Sequence, residues 1–147
     1  MEKAALKEHR RHSTADKPFS YYISNIPEYF PNAPMHWHKE FELNVILEGE
    51  GDFVTGDIHF TAYKGDIVLT PPDMLHAVYQ HDDKRCVYDT LDLDGSMLGS
   101  RDNDRAADAF ITPLISGAYS IETHITPEHC YYSELLTTAE NMINAAK

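Results

Sequence analysis

MHWHKEFELNVILEGEG, residues 35–51, carries more of the reading than any other stretch of this chain. His36 and His38 stand on either side of Trp37, and Glu42 follows four residues after the second histidine. The apolar run behind them predicts a strand over 41–47, stopped by a turn at Gly49-Glu50-Gly51. Strand residues two apart share a face. His36 and His38 therefore look the same way, and Asn44 and Ile46 share the parity of Glu42. A second segment, GDIVLTPPDMLH at 65–76, ends on another histidine, His76. Three imidazoles and one carboxylate suit a divalent transition metal such as zinc, iron, manganese or nickel. An open coordination position would admit water or a ligand. The same residues also fit a pocket mouth in which the histidines only hydrogen-bond.

Outward from that stretch, short strands are predicted at 19–26, 52–54, 58–62, 67–70, 75–80 and 85–93, separated by turns at 55–57, 64–66 and 81–84. Pro27, Pro31 and Pro34 mark an irregular segment, and Pro71-Pro72 interrupts the ladder because proline cannot donate to it. Many short antiparallel strands at this spacing predict a mostly β sandwich or barrel. Beyond residue 94 the pattern turns helical, at 105–110 and in a final helix opened by Thr126-Pro127. Tyr132, Leu135, Leu136, Ala139, Met142, Ile143 and Ala146 form one apolar face on that helix. It reaches Lys147 with no Gly or Asn behind it, so the chain is expected to be cut from a longer one.

The chain has 147 residues, the size of one ordinary domain. Hydrophobic residues make up 42%, enough for a core that needs no disulfide staples. Twelve basic against 24 acidic residues leave a net charge of −12, which excludes a phosphate-gripping surface as this chain's main business. Cys86 and Cys130 fit neither a redox nor a zinc spacing and read as reduced thiols. No apolar stretch approaches the ~20 residues of a membrane span, and the first residues lack the apolar core of a secretory signal. A cytoplasmic protein without membrane contact is expected. Residues 1–17 read as an arm, with His9, Arg10, Arg11 and His12 as a solvated basic cluster.

Residues 36–49 fit the first cupin motif at every fixed position after its first glycine, and 65–76 resemble the second. In the second, Asp73 replaces the usual glycine and Gln80 the usual asparagine. The resemblance implies a cupin fold: a double-stranded β-helix, or jelly-roll, barrel followed by C-terminal α-helices. It implies His36, His38, Glu42 and His76 as metal ligands, with the metal not a requirement.

The likeness narrows. HWHKEFELNVILEGEG, YKGDIVLTPPDMLHAV and FITPLISGAYSIETHITPEHCYYSELL together resemble the N-terminal regulatory domain of AraC-type transcription regulators, over roughly residues 18–147. That resemblance implies an arm at 1–17, an effector-binding barrel at 18–94, and a helical dimerisation segment at 95–147 packed on the barrel. A helix-turn-helix DNA-binding domain is expected after 147, and DNA contact only through it. The implied partners are a small effector, a sugar or related metabolite, and a second copy of the chain. Effector contacts are expected from His36, His38, Glu42, Asn44, Ile46, His76 and Tyr88, with Phe53, Tyr63 and Tyr79 as further wall candidates. Dimer contacts are expected from Leu135, Leu136, Ala139, Met142 and Ile143. Trp37, of opposite parity to its flanking histidines, is expected to pack against another layer or the arm. No turnover is expected. The alternative is a stand-alone metal-dependent cupin enzyme, an isomerase or dioxygenase, although no separate acid or base stands out.

Overall fold

Alternation along one long strand organises the molecule. In the computed structural model, which describes residues 2–99 and 104–147, β3 runs unbroken from Phe41 to Thr55. Its first half pairs with β7 (Cys86–Leu93) and β5 (Ile67–Thr70), and its second half with β4 (Ile58–Tyr63) and β6 (His76–Gln80). All of these pairings are antiparallel. β1 (Phe19–Ile26) extends the first sheet beyond β7, and β2 (Asn32–His36) extends the second beyond β6. β8 (His124–Ile125) closes the far edge of the first sheet against β5. The two sheets share β3 and face each other as a barrel.

The expected turn at Gly49-Glu50-Gly51 is instead a bend inside β3. The register against β7 shifts between Ile46 and Glu48. Gly49 takes φ +74, and a Cβ there would lie 1.7 Å from the Arg85 carbonyl oxygen. Only glycine admits both the left-handed conformation and that approach. The strand therefore changes sheets without reversing, and the reversal comes at Gly56, also at positive φ.

Parity then sorts the side chains. Phe41, Leu43 and Val45 point outward and join Ile67, Leu91, Leu93 and Ile125 in one apolar cluster. Glu42, Asn44 and Ile46 point into the barrel, where Ile46 packs with Ile26, Phe53, Val68, Val78 and Tyr88. β7 is buried along its whole length because it is covered on both faces.

The segment expected to be irregular near Pro31 and Pro34 holds β2. Its pairing with β6 shifts between Ala33 and His36, so Pro34 sits where the ladder is already interrupted. Residues 105–115 are helical, with a π turn at Ala107–Ile111 continuing into α1 (Thr112–Ile115). The last helix, α2, runs from Tyr132 to Ala146 and does not start at Thr126-Pro127. The His129 ring accepts from the Thr126 amide at 3.0 Å, and the His129 amide donates to the Thr126 carbonyl at 3.0 Å. That turn is complete in itself, and the helix begins only after it.

The face of α2 expected to make a dimer also packs on this chain's own sheet. Ala139 and Ile143 are buried in the outer cluster, and Leu135, Leu136 and Met142 pack half-buried against it. Covering the outward residues of β3 and β7 needs an apolar lid, and this stripe supplies it. No helix among the described residues is long and apolar enough to cross a membrane.

Candidate metal centre and effector cavity

Four elements converge at one end of the barrel. His36 closes β2, His76 opens β6, and the two are register partners across the pair. Their rings lie 4.1 Å apart. His38 follows in the connection to β3, and Glu42 is the second residue of β3. Their ligand-bearing atoms all lie within 4.8 Å of one another. His38 Nε2 and His76 Nε2 are each 3.5 Å from Glu42 Oε2, too long for a good hydrogen bond. Two ligands bound about 2.1 Å from one ion sit about 3 to 3.5 Å apart, so this spacing suits a shared metal.

The free valences fit the same reading. His36 Nδ1 donates to the Pro34 carbonyl at 2.7 Å, and His76 Nδ1 to the Met74 carbonyl at 2.8 Å. A carbonyl can only accept, so each ring keeps an unprotonated Nε2 in its neutral form, as metal-binding histidines do. His76 Nε2 and both nitrogens of His38 are buried without a hydrogen-bond partner. Orphaned polar atoms of this kind are rare in folded proteins, and a divalent cation would satisfy His76 Nε2 and one nitrogen of His38.

Burial alone would push Glu42 up, yet His76 and His38 beside it hold its carboxyl well below the usual range. Burial likewise opposes a charge on His76, and Glu42 reverses that and raises it. Burial, reinforced by His76, lowers His36. The carboxylate is thus ionised at neutral pH, as a ligand must be. Asn44 stands behind it: its side-chain amide donates to Glu42 Oε1 at 2.7 Å and its oxygen accepts from Thr90 Oγ1 at 2.6 Å.

The cluster forms the polar end of a cavity of about 490 Å³. Glu42, His36 and His76 line that end with Asp92 and Thr90, while Phe30, Val78 and Tyr88 line the apolar end. The sequence-expected residues divide accordingly. His36, Glu42, His76 and Tyr88 line the cavity, His38 lies at its edge within the ligand cluster, and Asn44 supports Glu42 from behind. Ile46 and Phe53 do not line it, because both are packed into the apolar floor. Tyr63 and Tyr79 stand outside the barrel, 53% and 38% exposed.

Asp92 was legible and missed: it shares inward parity with Tyr88 and Thr90 on β7. The arm carried no such signal. His12, expected in solvent, is 5% exposed and inserts between Asp92 (2.7 Å) and Glu8 (2.8 Å). Burial disfavours its charge, but these two carboxylates outweigh burial and push it up to about 10. Trp37 packs on the arm as its parity suggested, donating to the Lys3 carbonyl at 2.7 Å beneath the Lys3 and Lys7 ammonium groups.

Known proteins share the fold. A cupin protein from Bacteroides fragilis superposes with a TM-score of 0.50 over 57% of this chain and 72% of its own, at 19% identity. A Cupin 2 conserved barrel domain protein from Salinispora arenicola CNS-205 gives a TM-score of 0.46 over 61% of this chain and 75% of its own, also at 19% identity. The fold is a cupin barrel with appended helices. The uncharacterized HTH-type transcriptional regulator YdeC of Bacillus subtilis (strain 168) is 27% identical over 89 residues, spanning 60% of this chain and 31% of that protein. The chain thus matches about a third of that relative's length. The model of the AraC-like ligand binding domain matches residues 28–105, from the segment before β2 through the whole ligand cluster and past β7, and the chain belongs to that family.

Proposed function

We propose that this chain is the effector-sensing part of an AraC-type transcriptional regulator and that the effector binds in the cavity between the two sheets. The observation that carries the reading is a cavity of about 490 Å³, with one polar and one apolar end, inside the barrel matched by the ligand-binding family. A volume of that order holds a small metabolite. Hydroxyl-rich ligands, sugars and related metabolites, suit the polar end, where Glu42, Asp92 and Thr90 offer acceptors. A bound divalent metal would be held by His36, His38, Glu42 and His76, and would supply Lewis acidity and a docking point for ligand oxygens.

Effector occupancy shifts the balance between two states of the domain by its differential affinity for them. DNA contact belongs to a separate helix-turn-helix domain, in keeping with the net charge of −12 here. Homodimerisation is part of the proposal. Leu135, Leu136 and Met142 keep partial exposure, whereas Ala139 and Ile143 have none to offer.

The test is thermal-shift screening of pentoses, hexoses and their acids, followed by calorimetry. A binder whose effect disappears in His38→Ala and Glu42→Ala, with both variants folded by circular dichroism, supports the reading. Equal binding in both variants sinks the site assignment. The second reading, a metal-dependent cupin enzyme, is favoured by the complete ligand set. Catalytic conversion of a binder by metal-loaded protein would establish it instead.

A further inference from the structure

The arm reaches the metal cluster, and it does so with a carboxylate. Glu8 Oε2 lies 3.5 Å from His36 Nε2. Glu8, His12 and His38 form a second group whose ligand atoms all lie within 4.8 Å of one another. The two groups share His38, whose ring nitrogens are buried and unpartnered. Glu8 reaches His36 and His38 but is not grouped with all four barrel ligands, so its carboxylate must shift toward them to join one ion.

The arm is strapped to the backbone that carries the histidines. Lys7 bridges Trp37 in parallel, the Glu8 amide donates to the Trp37 carbonyl at 3.0 Å, and the Trp37 amide donates to the Leu6 carbonyl at 3.1 Å. Trp37 sits between His36 and His38, so one short stretch holds both two ligands and the arm. His12 fixes the carboxylate from the other side: its Nε2 is 2.8 Å from Glu8 Oε2 and its Nδ1 is 2.7 Å from Asp92. Ser20 hydroxyl donates to the His12 carbonyl, and Ser13 hydroxyl donates to Glu40 at 2.6 Å, which anchor the arm beyond it.

We propose that Glu8 is a ligand supplied by the arm to the barrel's metal, so that a divalent cation held by His36, His38, Glu42 and His76 clamps the arm across the cavity. This rests on the metal-holding reading of the cavity given above. His12 is the positioning residue for Glu8. The clamp fills a coordination position that an enzyme would leave open for substrate. An effector carrying a carboxylate or paired hydroxyls gains access by replacing the Glu8 oxygen with its own, and the arm is released.

The test uses Zn²⁺ alone, added to metal-stripped full chain, with calorimetry for affinity and amide exchange across residues 6–14 for the arm. Wild type is expected to bind Zn²⁺ and to show slower arm exchange when loaded. Glu8→Gln is expected to weaken Zn²⁺ at least about tenfold, the scale seen even for outer-shell partners of metal ligands, and to lose the metal-dependent protection. Glu42→Gln serves as the control that weakens the metal while leaving the arm's own hydrogen bonds in place. Equal Zn²⁺ affinity in wild type and Glu8→Gln, with arm exchange indifferent to metal, overturns the clamp and leaves the barrel site standing. Absence of Zn²⁺ binding by wild type overturns the clamp together with the metal reading, while effector sensing remains open to its separate test.

Discussion

At the scale of the residue, the site depends on how few partners its buried polar atoms have. Asn44 is 1% exposed and holds both Glu42 and Thr90. Asn44→Ala leaves a buried carboxylate oxygen and a buried hydroxyl short of partners. A loss of about 1–3 kcal/mol is expected by urea unfolding, the range for orphaned buried groups. Outside the site, His81 Nδ1 lies 2.8 Å from Asp52 Oδ1, and that bond raises its pKa. A raised imidazole contributes its stabilisation fully below its unfolded pKa and loses it as pH rises through the folded one. In an NMR titration, His81 should therefore titrate above an ordinary histidine. Asp52→Asn should return it toward the ordinary value, and an unmoved midpoint would remove Asp52 as the cause.

At the scale of the element, β3 and α2 each do something their local pattern did not announce. β3 crosses from one sheet to the other through a bend that depends on Gly49. Gly49→Ala should prevent the close approach to Arg85, at a cost above the ~1–3 kcal/mol of a left-handed non-glycine residue, read as loss of soluble protein or of cooperative melting. For α2, Ile143 is 3% exposed within the outer cluster. Ile143→Ala should cost about 2–5 kcal/mol of stability without a selective change in oligomeric state. A folded, fully stable but monomerised variant would return Ile143 to a dimer interface.

At the scale of the whole molecule, charge and arm set the behaviour. With a net charge of −12, the chain should show no measurable affinity for duplex DNA at 150 mM salt by fluorescence anisotropy, since non-specific binding needs clustered cations. The arm closes over that acidic interior. His12 is the cation buried beside Asp92, which is itself 1% exposed. Burial, with Glu42 nearby, raises the Asp92 pKa even in its presence.

Much of the barrel and of its site was readable from local pattern. Alternation along 41–46 places Glu42, Asn44 and Ile46 on one face and Phe41, Leu43 and Val45 on the other, because strand geometry has a period of two regardless of what lies across it. The spacing of His36, His38 and Glu42, with His76 behind the proline pair, singled out four residues that the fold gathers with potential ligand atoms within 4.8 Å of one another. Tertiary structure alone decided three other matters. Gly49-Glu50-Gly51 reads locally as a turn, and only pairing of residues 50–55 with β4 and β6 makes it a bend. The stripe on α2 has the same period whatever it packs on, and only the tertiary structure lays Ala139 and Ile143 on the outer face of β3 and β7. The arm has no apolar period at all. Its place comes from contacts with Trp37, Asp92 and Glu40, some 27 to 80 residues away, and charge pairing at such separation leaves no local mark in a sequence.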